Sequence, residues 1–207
     1  MIEVFYYIPA EKAEEAVECG MKLSEWYTRE VKIDSDLKKC ITGLLNPRDD
    51  LEKYTSSRYK CLKLEIVPKY CFIADGLLYE LGQKYPEAMD MYIKSIVPAE
   101  SYTYGDYRQP ECLITSTIFS EQISLLGNGL DTPIFYNNSR ELFFSTIFEG
   151  LRETHDDLDD ALLYYFFKGL AGAGKATCIE DADKRIAAFR CVDGRIYTLR
   201  IPDIDEY

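Results

Sequence analysis

Residues 2–8 are apolar or aromatic at every position except Glu3, a run that predicts a buried strand. Pro9 then opens a helix in which Ala13, Ala16, Val17 and Met21 recur at helical spacing. Residues 39–45 read as extended and stop at Asn46-Pro47-Arg48-Asp49-Asp50, where proline and Asx residues set a turn. Two further strands follow: 59–67, with Leu62, Leu64 and Ile66 alternating, and 70–74 beyond Pro68-Lys69. Residues 86–97 predict a helix with Met89, Tyr92, Ile93 and Ile96 on one face. A polar loop rich in tyrosine spans 98–110, and Glu111 leads the next apolar strand, 111–118. Ser120 is expected to cap a short helix ending near Gly127-Asn128-Gly129.

From Asp131 the pattern changes. Ser139 caps a helix with Phe143, Ile147 and Leu151 in register, an acidic segment follows, and 160–170 form an apolar helix. Strand character returns in 186–192 and 195–201 on either side of Asp193-Gly194, a two-residue hairpin signal. The expectation is α+β: an antiparallel sheet with flanking helices in residues 1–130, then helices and a C-terminal β-hairpin in 131–207. The boundary falls between Gly127 and Asn138, with one continuous domain as the alternative.

At 207 residues and 47% hydrophobic, the chain can bury one large core or two small ones. The net charge of −12 argues against duplex nucleic acid or an anionic lipid surface as the main ligand. The charge is uneven: between Gly20 and Tyr70, 11 Lys or Arg face 8 Asp or Glu, so this stretch is +3 and the remainder −15. The basic stretch leaves room for a small phosphorylated ligand, and a solvated face is the blander explanation.

His155 is the only histidine, which removes multi-histidine zinc sites and leaves acid–base chemistry mainly to carboxylates and tyrosines. The seven cysteines form no C-x-x-C pair and sit mostly in apolar strings, which fits reduced thiols in a cytoplasmic protein. The N-terminus has no basic or long apolar segment, and the longest apolar run, 161–167, is too short to span a bilayer, so no membrane role is expected. Without a secretion signal, the glycosylation-like Asn137-Asn138-Ser139 carries no weight.

Two motifs read best as structural. Gly169-Leu170-Ala171-Gly172-Ala173-Gly174-Lys175-Ala176 approaches a phosphate-binding loop, but Ala176 stands where a hydroxyl should hold magnesium, so a small-residue connector is preferred. Asp156-Asp157-Leu158-Asp159-Asp160 contains a D-D-x-x-D that clustered carboxylates elsewhere use for Mg²⁺. Here it reads as acid charging the start of the following helix, and no metal is assigned.

The third constellation reaches further. Tyr6 and Tyr7 on the first strand, the strand pair at 62–66 and 71–74, and Gln109-Pro110-Glu111 after the tyrosine-rich loop resemble, in order and spacing, the ADP-ribosyltransferase fold over residues 1–130. The resemblance implies a split antiparallel sheet, an NAD-binding cleft, and Glu111 as the catalytic carboxylate of a Q-x-E element. It further implies Tyr6, Tyr7, Arg58, Tyr104 and Gln109 as cofactor contacts, with Thr55-Ser56-Ser57 beside Arg58. Tyr6-Tyr7 stands where the family commonly supplies His or Arg, and no S-T-S follows, so a catalytically degenerate member is one expectation. The same residues also fit a loop-ending acid with half-buried tyrosines. The alternative function is a non-enzymatic module whose acidic C-terminal part, with Asp156, Asp157, Asp159 and Asp160, engages a basic protein partner.

Overall fold

A computed structural model describes residues 1–126 and 138–203. The chain divides into two compact units, Met1–Thr146 and Ile147–Tyr207. The boundary expected between Gly127 and Asn138, and the helix end expected at Gly127-Asn128-Gly129, lie outside the described residues apart from Asn138 itself.

The first unit runs β1 (Ile2–Pro9), α1 (Ala13–Cys19), α2 (Leu23–Trp26), β2 (Arg29–Ile33), β3 (Asp36–Leu44), α3 (Leu51–Thr55), β4 (Tyr59–Ile66), β5 (Cys71–Asp75), α4 (Gly76–Gly82), α5 (Pro86–Ser95), β6 (Val97–Pro98), β7 (Pro110–Ile114), β8 (Ile123–Leu125), and then enters α6 (Ser139–Thr154). The fold is α+β. Its strands form an antiparallel sheet in the order β6-β5-β7-β3-β1-β4-β8, with β2 paired to β3.

The sheet is split. β1 and β4 share eight register pairs, from Ile2↔Ile66 to Pro9↔Tyr59, and β3 pairs with β7 from Ile41↔Ile114 to Leu44↔Glu111. β1 and β3 share only Phe5↔Leu44, so the two half-sheets meet at one register pair. Gly43 is required there: a Cβ would enter the van der Waals envelope of Val4 Cγ1 and come within 3.1 Å of the Phe5 carbonyl.

Side chains alternate across the strands and build a core on each face. Val4, Ile8, Ile41, Leu62, Leu64, Ile66, Ile73, Cys112 and Ile114 pack with Ala13 and Ala16 of α1. On the opposite face, Cys40, Ala74 and Leu113 pack with Val31 and Ile33 of β2, with Tyr92 of α5, and with Leu78 and Tyr79 of α4. The α4–α5 pair thus covers one half-sheet.

Two departures from expectation bear on this sheet. β2 pairs with the polar start of β3 through a turn at Asp34-Ser35, both left-handed with φ of 52° and 73°, the geometry that matches strand twist in a tight hairpin. Ser120–Gln122 is a single 3-10 turn rather than a helix, because the chain continues into β8, where Leu62↔Leu125 and Leu64↔Ile123 satisfy the edge of β4.

In the second unit, α7 (Leu158–Gly172) lies on a three-stranded antiparallel sheet of β9 (Ala176–Asp181), β10 (Ile186–Cys191) and β11 (Ile196–Arg200), with β10 central. Tyr164, Phe167, Ala187 and Phe189 form its core, and the Phe167 ring stacks on Tyr197 at 4.6 Å. The Asp193-Gly194 hairpin forms as expected, with Gly194 at φ 82°, and β9 adds a third strand to it. Among the described residues no helix is long and apolar enough to cross a membrane.

Candidate functional site

Past the Phe5↔Leu44 contact the half-sheets diverge, and a cavity of about 290 Å³ opens between them. Its walls include Tyr6 and Tyr7 of β1, Thr42 and Gly43 of β3, Lys53 of α3, and Gln109-Pro110-Glu111 at the start of β7. Pro110 suits the first position of a strand, where its missing N–H is tolerated, and it delivers Glu111 opposite Leu44 on one side and Ala74 on the other.

Glu111 is tied down from two other elements, with a third behind them. Its Oε1 accepts from Arg29 Nη1 at 2.5 Å and from the Tyr92 hydroxyl at 2.7 Å, and Arg29 Nη1 also donates to that hydroxyl at 3.3 Å. The Arg29 guanidinium lies 3.4 Å above the Tyr79 ring, which meets the Tyr92 ring edge-on at 5.1 Å. The ion pair is well shielded, with side-chain exposures of 17% and 12%. Burial raises the Glu111 carboxyl above the ordinary glutamate value, while Arg29 and Tyr92 pull it back down. Burial likewise raises the Tyr92 phenol, with Glu111 adding to the effect.

Several other polar groups of the cavity are paired as well. Lys53 Nζ meets Asp50 Oδ2 at 2.8 Å, and the Thr28 and Thr42 hydroxyls lie 2.9 Å apart. The Tyr7 hydroxyl donates to the Pro47 carbonyl at 2.6 Å, so this phenol anchors the turn after β3. Burial raises the Tyr6 phenol, with Lys53 opposing.

The fold therefore brings Glu111, Gln109, Tyr6 and Tyr7 around one cavity and leaves two of the expected contacts outside it. Arg58 is exposed in the turn before β4, where its carbonyl accepts from Ala10 N at 2.9 Å. Thr55 sits nearby and bonds back to Leu51 O. Tyr104 is 59% exposed and lines a different cavity of about 370 Å³ with Ile2, Leu45 and Leu142. Sequence reading missed Arg29, Tyr79 and Lys53 as parts of the site, and placed Tyr92 only on an apolar helix face. Arg29 and Lys53 both belong to the basic stretch between Gly20 and Tyr70, but nothing in the sequence signals the partner of Arg29, which lies 82 positions away.

The remaining motifs resolve into structure. The glycine-rich string ends α7, turns through Gly174 at φ 70° and enters β9, a helix-to-strand order opposite to that of a phosphate-binding loop. In the acidic run, Asp159 pairs with Arg152 at 2.9 Å and Asp160 accepts from Arg200 N at 3.2 Å. Among the described residues no three His, Cys, Asp or Glu side chains gather as a metal site. Asn138 caps α6 by accepting from Glu141 N at 2.9 Å, and Asn137 lies outside the described residues. No protein-family model, curated protein or solved structure matches the chain.

Proposed function

We propose that the protein is an ADP-ribosyltransferase-like, NAD-binding protein whose cleft takes the nicotinamide-ribose end of the dinucleotide. The observation that carries this reading is the cavity at the seam of the split sheet, where Glu111 and Gln109 face β1 with Lys53 on the same wall system. A cavity of about 290 Å³ suits one base and its sugar, with the rest of the ligand extending out of it. Glu111 Oε2 accepts no hydrogen bond among the described residues and is the oxygen that meets a ribose hydroxyl.

As the nicotinamide–ribose bond breaks, its electron pair leaves with neutral nicotinamide and positive charge develops on the sugar. A fixed carboxylate stabilises that charge more than it stabilises the ground state. Lys53 supplies the cation for a phosphate oxygen once its link to Asp50 opens. The Tyr7 hydroxyl, spent on Pro47, leaves β1 without the ligand-anchoring donor that an active transferase would have, which favours binding with slow or absent turnover.

The test is thermal melting with millimolar NAD. A rise in Tm that Lys53→Ala weakens supports the reading, and any NAD consumption should vanish in Glu111→Gln. No shift in the wild-type protein at millimolar NAD sinks it.

A further inference from the structure

We infer that Arg29 and Tyr92 are positioning residues, which hold Glu111 in one rotamer and leave a single carboxylate oxygen, Oε2, facing whatever enters the cleft. The functional meaning of this clamp rests on the cleft being the ligand site; its geometry does not.

The clamp is built from outside the strand that carries the acid. Arg29 comes from β2, Tyr92 from α5, and both address the same oxygen, at 2.5 and 2.7 Å. Two donors on one oxygen fix the carboxylate by direction as well as by distance, and a charged donor makes the attachment stronger than a neutral one. Each donor is held in turn. The guanidinium carbon lies 3.4 Å from the Tyr79 ring centroid, so the group cannot swing away from Glu111 without losing that contact. Tyr92 is fully buried, meets Tyr79 edge-on, and its carbonyl accepts from Ser95 Oγ at 2.7 Å. Ser95 Oγ also receives Asp75 N, at 3.1 Å, which ties the end of α5 to the end of β5.

Stability alone does not account for this arrangement. A shielded ion pair gains little over apolar side chains of similar volume, because both charges lose their water. What the pair does supply is a carboxylate of fixed direction. Such an oxygen accepts and does not donate, so the cleft at this wall takes a donor, such as a sugar hydroxyl, and repels a phosphate or carboxylate. The lysine side of the cavity has the complementary preference.

The groups that set the charge on Glu111 are Arg29 from β2, Tyr92 from α5, Asp75 at the end of β5 and Glu80 of α4. Cys40 of β3 is close enough for Glu111 to raise its thiol, and Lys53 and Asp50 share the cavity. Asp75 and Glu80 favour the protonated acid; Arg29 and Tyr92 favour the carboxylate. Removing either donor therefore moves the ionisation of Glu111 upward.

The experiment follows the Glu111 carboxyl carbon by NMR in full-length protein labelled at glutamate, assigned by its loss in Glu111→Gln. Tyr92→Phe keeps the ring and removes only the donor, and its titration midpoint should rise by roughly one pH unit. Arg29→Met should raise it further, and Arg29→Lys should restore part of the difference. A midpoint unchanged from wild type in folded Tyr92→Phe and folded Arg29→Met overturns the clamp. Should Tyr92→Phe not fold, the Arg29→Met and Arg29→Lys pair decides alone. The NAD melting assay stands apart from this readout. A moved midpoint with no NAD-induced shift leaves the clamp and removes the NAD reading, whereas an unmoved midpoint with NAD binding intact does the reverse.

Discussion

Phe5 and Leu44 form the one register pair between β1 and β3, and the cavity bearing Glu111 begins where their strands part. Gly43 lies beside that pair with no room for a side chain. Gly43→Ala should cost about 1–3 kcal/mol through overpacking against Val4 and the Phe5 carbonyl. Trp26, the only tryptophan, packs half-buried against this core, so its fluorescence during denaturation reads the loss directly.

Arg29→Met leaves the shielded Glu111 without its cation. The expected cost is roughly 3 kcal/mol, characteristic of breaking one side of a buried pair. The double variant Arg29→Met, Glu111→Leu removes both charges and should recover most of that loss. Urea denaturation of the single and double variants measures the coupling.

Asp49 gives a pH prediction with a definite sign. Its carboxylate accepts from Ser139 N and Ser139 Oγ, both at 2.7 Å. Burial nevertheless raises its carboxyl above the ordinary aspartate value, with the two Ser139 bonds opposing. A raised folded value means that the group's contribution is fully present below the ordinary carboxylate pKa and is lost as pH rises through the folded value. The stability of wild type relative to Asp49→Asn should therefore fall as the pH rises above the ordinary aspartate value and through the raised folded one. Trp26-monitored denaturation at several pH values checks it, and a difference that grows with pH contradicts it.

In the second unit, Gly194 supplies the left-handed position of the β10–β11 hairpin, at φ 82°. Gly194→Ala should cost about 1 kcal/mol, since an alanine pays a steric penalty there. Faster amide exchange at Cys191, whose N–H donates to Arg195 O at 2.9 Å, is the expected sign.

Strands with strong side-chain alternation were legible in the sequence. β4 follows Leu62, Leu64 and Ile66, all fully buried, and the β10–β11 hairpin follows Asp193-Gly194. β2 was not read, although Val31 and Ile33 alternate with Glu30 and Lys32, because its signal is short and half charged. β9 was hidden behind the glycine-rich string that precedes it. β8 depends on a partner: Ile123 to Leu125 becomes a strand because the edge of β4 is available, which no local pattern records. At the site, Gln109-Pro110-Glu111 and Tyr6-Tyr7 were visible as residue types in a spacing. Arg29, Tyr79 and Tyr92 enter only through tertiary packing, where a hydroxyl on an apolar helix face and a cation in a polar stretch converge on one oxygen.

Cys40, Cys71 and Cys112, all fully buried, lie on β3, β5 and β7, three adjacent strands of the half-sheet that carries Glu111, while Cys19 is exposed at the end of α1. Burial also pushes the Cys40 thiol up to about 11, which keeps it from reacting as a thiolate. The half-sheet thus contains its own chemical clock. A thiol reagent in excess should label Cys19 at once and the three interior cysteines only when those strands separate, so the slow phase times the opening of the floor on which Glu111 stands.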